Sequence, residues 1–337
     1  MPETTAPPAV NWQWWPAAIV FVAALPAAAV TLYDVQKGAA LAVGLLPAAA
    51  LGIAAPRRRR IALLTSGFLL GIPMALGSAV SSTPAAAVIG IAAFCIAAVA
   101  LWIRGANTRI GALLSTLVIP MVGVGLSYPD TSTAVTLTTL FFAGSVLVWL
   151  LSLAVPDGVS GPQPAQAVPT SLTYGYLLAA VAAVTAIVGF ALDLDHVGWA
   201  CAAALMVMRP DPHVQVARTA GRFGSVLIGA AAAGGIVHLD PPAPIYAGVF
   251  TILIASAAAT HGSRLYILPL FTTFFVIVLL SYADPAQATS RFFERVGETL
   301  LGLLVALIIG IALPAAARWF RGRPGQRRPP HATPRRS

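Results

Sequence analysis

Between His196 and Gly229 the chain carries its densest set of residues able to do chemistry. His196 and Trp199 come first, then Arg209-Pro210-Asp211-Pro212-His213, then Arg218, Arg222 and Gly224-Ser225. Arg218 and Arg222 are four residues apart, so on a helix they share a face, and two guanidiniums so placed could grip a carboxylate bidentately. A ring carried by that carboxylate could stack on Trp199. The plainer account is that both arginines reach out to lipid headgroups and that Trp199 belongs to an interfacial aromatic belt. Arg264 is a further cation that could join such a site.

A second cluster, Arg291, Glu294, Arg295 and Glu298, has spacing suited to mutual pairing along a helix. Thr299-Leu300-Leu301-Gly302 follows Glu298 directly, which would put this carboxyl within hydrocarbon, where an ionisable group is by default a functional candidate, here a proton carrier. The alternative is a paired interfacial charge. His196 and Asp195 are the other candidates for moving protons; a lone histidine near a helix end is otherwise a hydrogen-bonded interface residue.

The elements that must position these residues follow from composition. Charged residues are 9% of the chain and hydrophobic ones 58%, too few and too many for a water-exposed surface. Apolar runs near the ~20 residues needed to cross a bilayer recur from Pro16 to Pro314, giving an all-α, polytopic membrane protein of about twelve transmembrane helices. The segment holding Trp199, Val197–Met208, is unusually short. Its successors are predicted at Phe223–Val237 and, at the end, Val296–Leu313. Short or Pro/Gly-interrupted membrane helices point to transport sites, because unwound backbone at depth is tolerated where it lines a cavity. Glu3 stands where a secretory signal would be basic, so the first helix is expected to stay as an anchor.

Cations collect in alternate connections: Arg57–Arg60, Arg104 and Arg109, then Arg209, Arg218 and Arg222, Arg264, and a run from Arg318 to Arg336. Lys and Arg resist translocation, so both termini are expected in the cytoplasm of a plasma (inner) membrane protein. The net charge of +9 then reads as topology and contact of the basic tail with anionic headgroups, not as nucleic-acid binding. Cys95 and Cys201 fall in apolar helices with no metal-ligand spacing, so neither a metal nor another cofactor is expected. GxxxxGK[ST], HExxH and GxSxG are absent, which argues against ATP as energy source and against an enzyme.

Two halves can be aligned. Ser127-Tyr128-Pro129-Asp130 leads into the sixth segment as Ser281-Tyr282-Ala283-Asp284 leads into the twelfth. An even number of helices per half orients both alike, giving two parallel six-helix repeats. The expected organisation is an N-terminus over 1–15, a degenerate first repeat over 16–155, a Pro/Gly linker over 156–171, a second repeat over 172–314 and a basic, disordered tail over 315–337.

The second half, from Leu172 to Pro314, resembles the fusaric acid resistance protein-like family, also described as aromatic acid exporters. His196 and Trp199, Arg209-Pro210, the Arg218, Arg222, Gly224-Ser225, Gly229 pattern and the terminal Gly297, Gly302, Pro314 helix carry the resemblance. It implies a secondary exporter or channel-like carrier of organic anions, typically aromatic carboxylates, running on the proton gradient, in a family whose members often work with a membrane fusion protein. Larger members place a cytosolic domain after each membrane bundle, where this chain has only the linker and the tail. In that reading Trp199, Arg209, Arg218, Arg222 and Arg264 hold the anion, His196, Asp195 and Glu298 exchange protons, and a homo-oligomer could form. A passive organic-anion channel and a non-transporting membrane scaffold are the alternatives.

Overall fold

The computed structural model describes residues 10–46, 49, 56–105, 114–157, 171–260, 263, 267–282 and 284–321. Among the described residues there are twelve main helices and no strand. They are α1 (Trp14–Thr31), α2 (Val35–Val43), α3 (Ile61–Ser81), α4 (Pro84–Ile103), α5 (Ile119–Gly125, entered through a π turn at Leu114–Val118) and α6 (Thr131–Leu153). After the linker come α7 (Leu172–Ala191), α8 (Val197–Val207), α9 (Pro212–Leu239), α10 (Ala243–Ala259), α11 (Leu268–Ser281) and α12 (Ala288–Leu307). A π segment at Ile308–Ala312 extends α12 into a last helical stretch, Leu313–Arg321.

Among the described residues seven helices are long and apolar enough to cross a membrane: those over Trp14–Thr31, Arg57–Ser81, Pro84–Ile103, Thr131–Leu153, Leu172–Ala191, Pro212–Leu239 and Pro285–Phe320. Three shorter apolar helices, α8, α10 and α11, lie among them. The protein is therefore a multi-pass helical membrane protein.

Helix starts are set by polar caps. Asp34 accepts the Lys37 amide at 3.0 Å before α2, and Asp211 accepts the His213 amide at 2.8 Å before α9, where Pro212 takes the first helical position. Asp130 caps α6 most fully, taking the amides and hydroxyls of Ser132 and Thr133 at 2.6–3.1 Å. Those four donors hold its carboxyl well below the usual carboxylate range. A lowered native value means the stabilisation is present above the unfolded pKa and is lost as pH falls through the native one. Asp130→Ala is thus expected to lower the thermal midpoint in detergent at neutral pH, by an amount that shrinks as the solution is acidified; a constant difference would exclude the carboxylate as its source.

Arg60 ends α6. Its guanidinium is 1% exposed and donates to the carbonyls of Ser152, Val155 (2.8 Å) and Pro156 (3.2 Å), with Asp157 at 3.5 Å. A cation here meets the orphan carbonyls and the negative pole of the helix. Arg57–Arg59 are exposed.

Packing interlocks α1–α6 with α7–α12. Helix α1 lies along α10 and α4 along α7; α2 packs on α6 and α11, while α8 packs on α12 and α5. Helix α3 contacts α5 and α6, and α9 contacts α11 and α12. Two buried apolar cores result, one spanning α1, α2, α3, α6, α9, α10 and α11, the other α4, α5, α7, α8 and the end of α12.

Two helices begin earlier than hydropathy predicts. Helix α9 starts at Pro212, not Phe223, and α12 at Ala288, not Val296. Hydropathy marks where lipid-compatible residues begin, whereas a cap or 3₁₀ turn marks where the helix begins. Arg218 and Arg222 therefore stand inside α9, and Arg291 to Glu298 inside α12.

Candidate functional site

Helix α8 is the short central element, and all its residues but Met206 are buried. Its neighbours come close because small residues face it. A Cβ on Gly302 of α12 would sit 2.1 Å from the Ala200 carbonyl, and one on Gly198 would sit 2.1 Å from the Gly123 carbonyl of α5. Gly302→Val is accordingly expected to separate α8 from α12 and cost several degrees of thermal midpoint, read by scanning fluorimetry in detergent. An unchanged midpoint would mean the two helices can part freely.

At the start of α8, His196 stacks on Trp199, with ring centroids 4.1 Å apart and planes 13° off parallel. The Arg295 guanidinium of α12 lies over the Trp199 ring at 4.4 Å, a cation–π contact in a water-poor setting. His196 Nδ1 contacts Glu294, which also pairs with Arg291 at 2.9 Å, and Arg291 reaches Asp195 at 3.4 Å. The His196 amide donates to Glu298 Oε1 at 3.3 Å. A network of two arginines, two glutamates, an aspartate and a histidine thus clips the start of α8 to α12.

Helices α9 and α12 run antiparallel, fixed by a hydrogen bond from Gln215 Nε2 to the Ala306 carbonyl at 2.7 Å. Seven residues further along each, a rise of ~10 Å, Arg222 comes level with Thr299, next to Glu298. Arg222 is 3% exposed, Arg295 6% and Glu298 4%. Arg222 of α9 and Arg295 of α12 thus come together inside the bundle.

They meet at a cavity of about 200 Å³ between the two sides of the linker. Helices α2, α3, α5 and α6 wall it on one side and α8, α9, α11 and α12 on the other. Arg222 and Arg295 supply its charge and Trp199 its largest ring; apart from Tyr128 and Thr272 the remaining wall is apolar, including Met74, Met121 and Met206. Arg222 Nη1 also rests 3.2 Å from Met206 Sδ. A dry cavity of about 150 Å³ takes a benzene molecule, so this one has room for a single ring bearing a carboxylate.

Of the sequence-predicted anion residues, the cavity gathers Trp199 and Arg222. Arg218 lies a turn nearer the start of α9, half-buried and outside the cavity wall. Arg209 also lies outside it, its guanidinium turned onto the Met208 carbonyl; Arg264 lies outside the described residues. His196, Asp195 and Glu298 all join the network that clips α8 to α12. Arg295 was legible only as part of a charge cluster, and nothing in the sequence put it over Trp199. Cys95 and Cys201 are buried thiols, and among the described residues no three His, Cys, Asp or Glu side chains gather to hold a metal ion.

Neither a curated protein nor a solved structure matches the chain. Residues 179–309, which run from α7 into the extension of α12 and include Trp199, Arg222, Arg295 and Glu298, match the family model described as Fusaric acid resistance protein-like. Over that stretch this multi-pass membrane protein is similar to the fusaric acid resistance protein-like family.

Proposed function

We propose that the protein is a carrier of organic anions, aromatic carboxylates in particular, working in the plasma (inner) membrane in the outward direction and coupled to protons. The observation that carries this reading is the largely apolar cavity into which two buried guanidiniums and a tryptophan project. Burying the Arg295 guanidinium is costly without a counter-charge, and an anionic ligand supplies one. The apolar wall favours a ring over a hydrated inorganic anion. A channel would need a continuous wet path, and the largely apolar wall of this site favours a carrier.

The fold we propose is two parallel six-helix repeats, 16–155 and 172–314, joined by 156–171, with both termini cytoplasmic. Its support is reciprocity: α1 on α10 answers α7 on α4, α2 on α11 answers α8 on α5, and α2 on α6 answers α8 on α12. Such a pair can rock about a site between them. In this reading His196, Asp195 and Glu298 carry the protons. The exposed Trp319 and Phe320 beside Arg318 lead the basic tail onto anionic headgroups.

The deciding experiment is uptake of labelled benzoate, other aromatic acids and aliphatic carboxylates into liposomes containing the purified protein, with and without a pH gradient. Saturable, gradient-sensitive accumulation of the ring acids supports the reading. Conductance without saturation would turn it toward a channel, and no flux of any anion toward a scaffold.

A further inference from the structure

Two charged atoms in the site lack what buried charges require. Arg295 Nε and Glu298 Oε2 are both buried with no hydrogen-bond partner among the described residues. They belong to side chains three residues apart on α12, a spacing at which a carboxylate and a guanidinium can reach one another. Yet they form no ion pair: Arg295 is laid over Trp199 and faces the cavity, and Glu298 is turned toward the His196 amide. The arrangement leaves a cation prepared for a partner that comes from the cavity, and a carboxylate within a side-chain rotation of replacing that partner.

We infer that Glu298 is the internal counter-anion of Arg295: it pairs with the guanidinium when the cavity is empty, and gives it up to the transported anion when Glu298 takes a proton. This rests on the anion-carrier reading and adds the sign of its coupling. The ligand class is a monoanionic carboxylate. One proton binds the Glu298 carboxylate as one anion binds Arg295, and both leave to the side on which the cavity opens, so charge on the moving part is the same loaded or empty. Outward flux then runs only where the outward anion gradient exceeds the opposing proton gradient, each anion leaving with a proton and independent of membrane voltage. An inward pH gradient by itself drives the anion inward.

The groups that bear on Glu298 are Glu294 and Arg295 on its own helix and Asp195 and His196 at the start of α8; Arg291 pairs with Glu294, and Arg222 on α9 and Tyr128 after α5 bear on Arg295. Arg222 faces the cavity in either state, and the Glu294 pairings with His196 and Arg291 stay closed. Glu298 acts on the anion through Arg295, so it is a positioning residue.

The test separates exchange from net flux. Glu298→Gln keeps an oxygen to accept the His196 amide but can neither ionise nor release a proton. In liposomes, benzoate–benzoate exchange should persist in this variant, while net flux driven by a pH gradient falls roughly tenfold or more. Exchange in wild type should weaken as pH rises from about 5.5 to 8, by roughly fivefold or more in half-saturating benzoate, and should be flat with pH in Glu298→Gln. Glu298→Asp should restore a pH dependence. Gradient-driven net flux at the wild-type ratio to exchange in Glu298→Gln would overturn the inference. So would loss of exchange in both Glu298→Gln and Glu298→Asp in correctly folded protein, which would make the residue structural. If wild type exchanges no carboxylate at all, the anion-carrier reading falls and takes this inference with it; if it exchanges them with no response to Glu298→Gln, only the inference falls.

Discussion

Arg222→Ala is expected to abolish measurable uptake of benzoate, whereas Arg218→Ala leaves most of it. Both residues lie on α9, one turn apart, and composition gives no reason to separate them. Arg222 is buried and faces the cavity; Arg218 is half-buried and outside its wall. Truncating one member of a desolvated charge pair costs about 2–5 kcal/mol, which is roughly thirtyfold or more in affinity. A partly solvated cation outside the site contributes at most about 1 kcal/mol through a screened field, roughly fivefold. The measurement is half-saturating benzoate and maximal exchange for the two single variants, with monodispersity in detergent as the folding control. Equal losses would mean that the two arginines act as one grip, as their spacing alone suggests, and that the cavity is not the site. Arg222→Lys sharpens the comparison: it keeps the charge and loses the planar fork, so partial recovery separates charge from bidentate geometry.

That difference between neighbours shows how far the sequence could be read. The short helix, its histidine and tryptophan, and the arginines after it were all legible, because a Pro/Gly-bounded apolar run of subnormal length is visible in hydropathy. Arg295 was not legible as a site residue. Hydropathy begins the last helix at Val296, which leaves Arg291, Glu294 and Arg295 looking like a polar approach to it, whereas the helix begins at Ala288 and carries all three into the protein. Nor could the sequence show that α12 runs antiparallel to α9 with Gln215 against Ala306, the register that brings Arg222 level with Glu298. The first half's share of the cavity was silent for a different reason. Its wall residues, such as Leu70, Met74 and Phe141, are apolar side chains in apolar helices and carry no mark that distinguishes a cavity wall from a lipid face. Arg60 was hidden likewise: it is one of four consecutive arginines, and only the fold shows that it is the buried one, turned inward to close α6.

Trp199→Leu is expected to weaken benzoate binding by roughly thirtyfold, since a desolvated cation–π contact contributes about 2 kcal/mol or more and ring stacking about 0.5–1.5 kcal/mol beyond its buried area. Two contributions are mixed in that figure. Arg295 loses the surface on which it rests, which should affect every carboxylate alike. The ligand loses an aromatic neighbour, which should affect only ligands with a π face. Comparing benzoate with cyclohexanecarboxylate, a ligand of similar size and equal charge, separates them. A larger loss for benzoate places the ring of the ligand against Trp199; equal losses assign Trp199 to holding Arg295. Trp199→Phe, which keeps a smaller π face, should recover part of either effect. His196 depends on the same ring, its imidazole stacked at 4.1 Å, so Trp199→Leu also frees the residue whose amide and Nδ1 tie α8 to Glu298 and Glu294. Its pH profile should therefore change along with its affinity. An affinity loss with an unaltered profile would show that anion seat and proton group are independent, which the shared residues of α8 and α12 argue against.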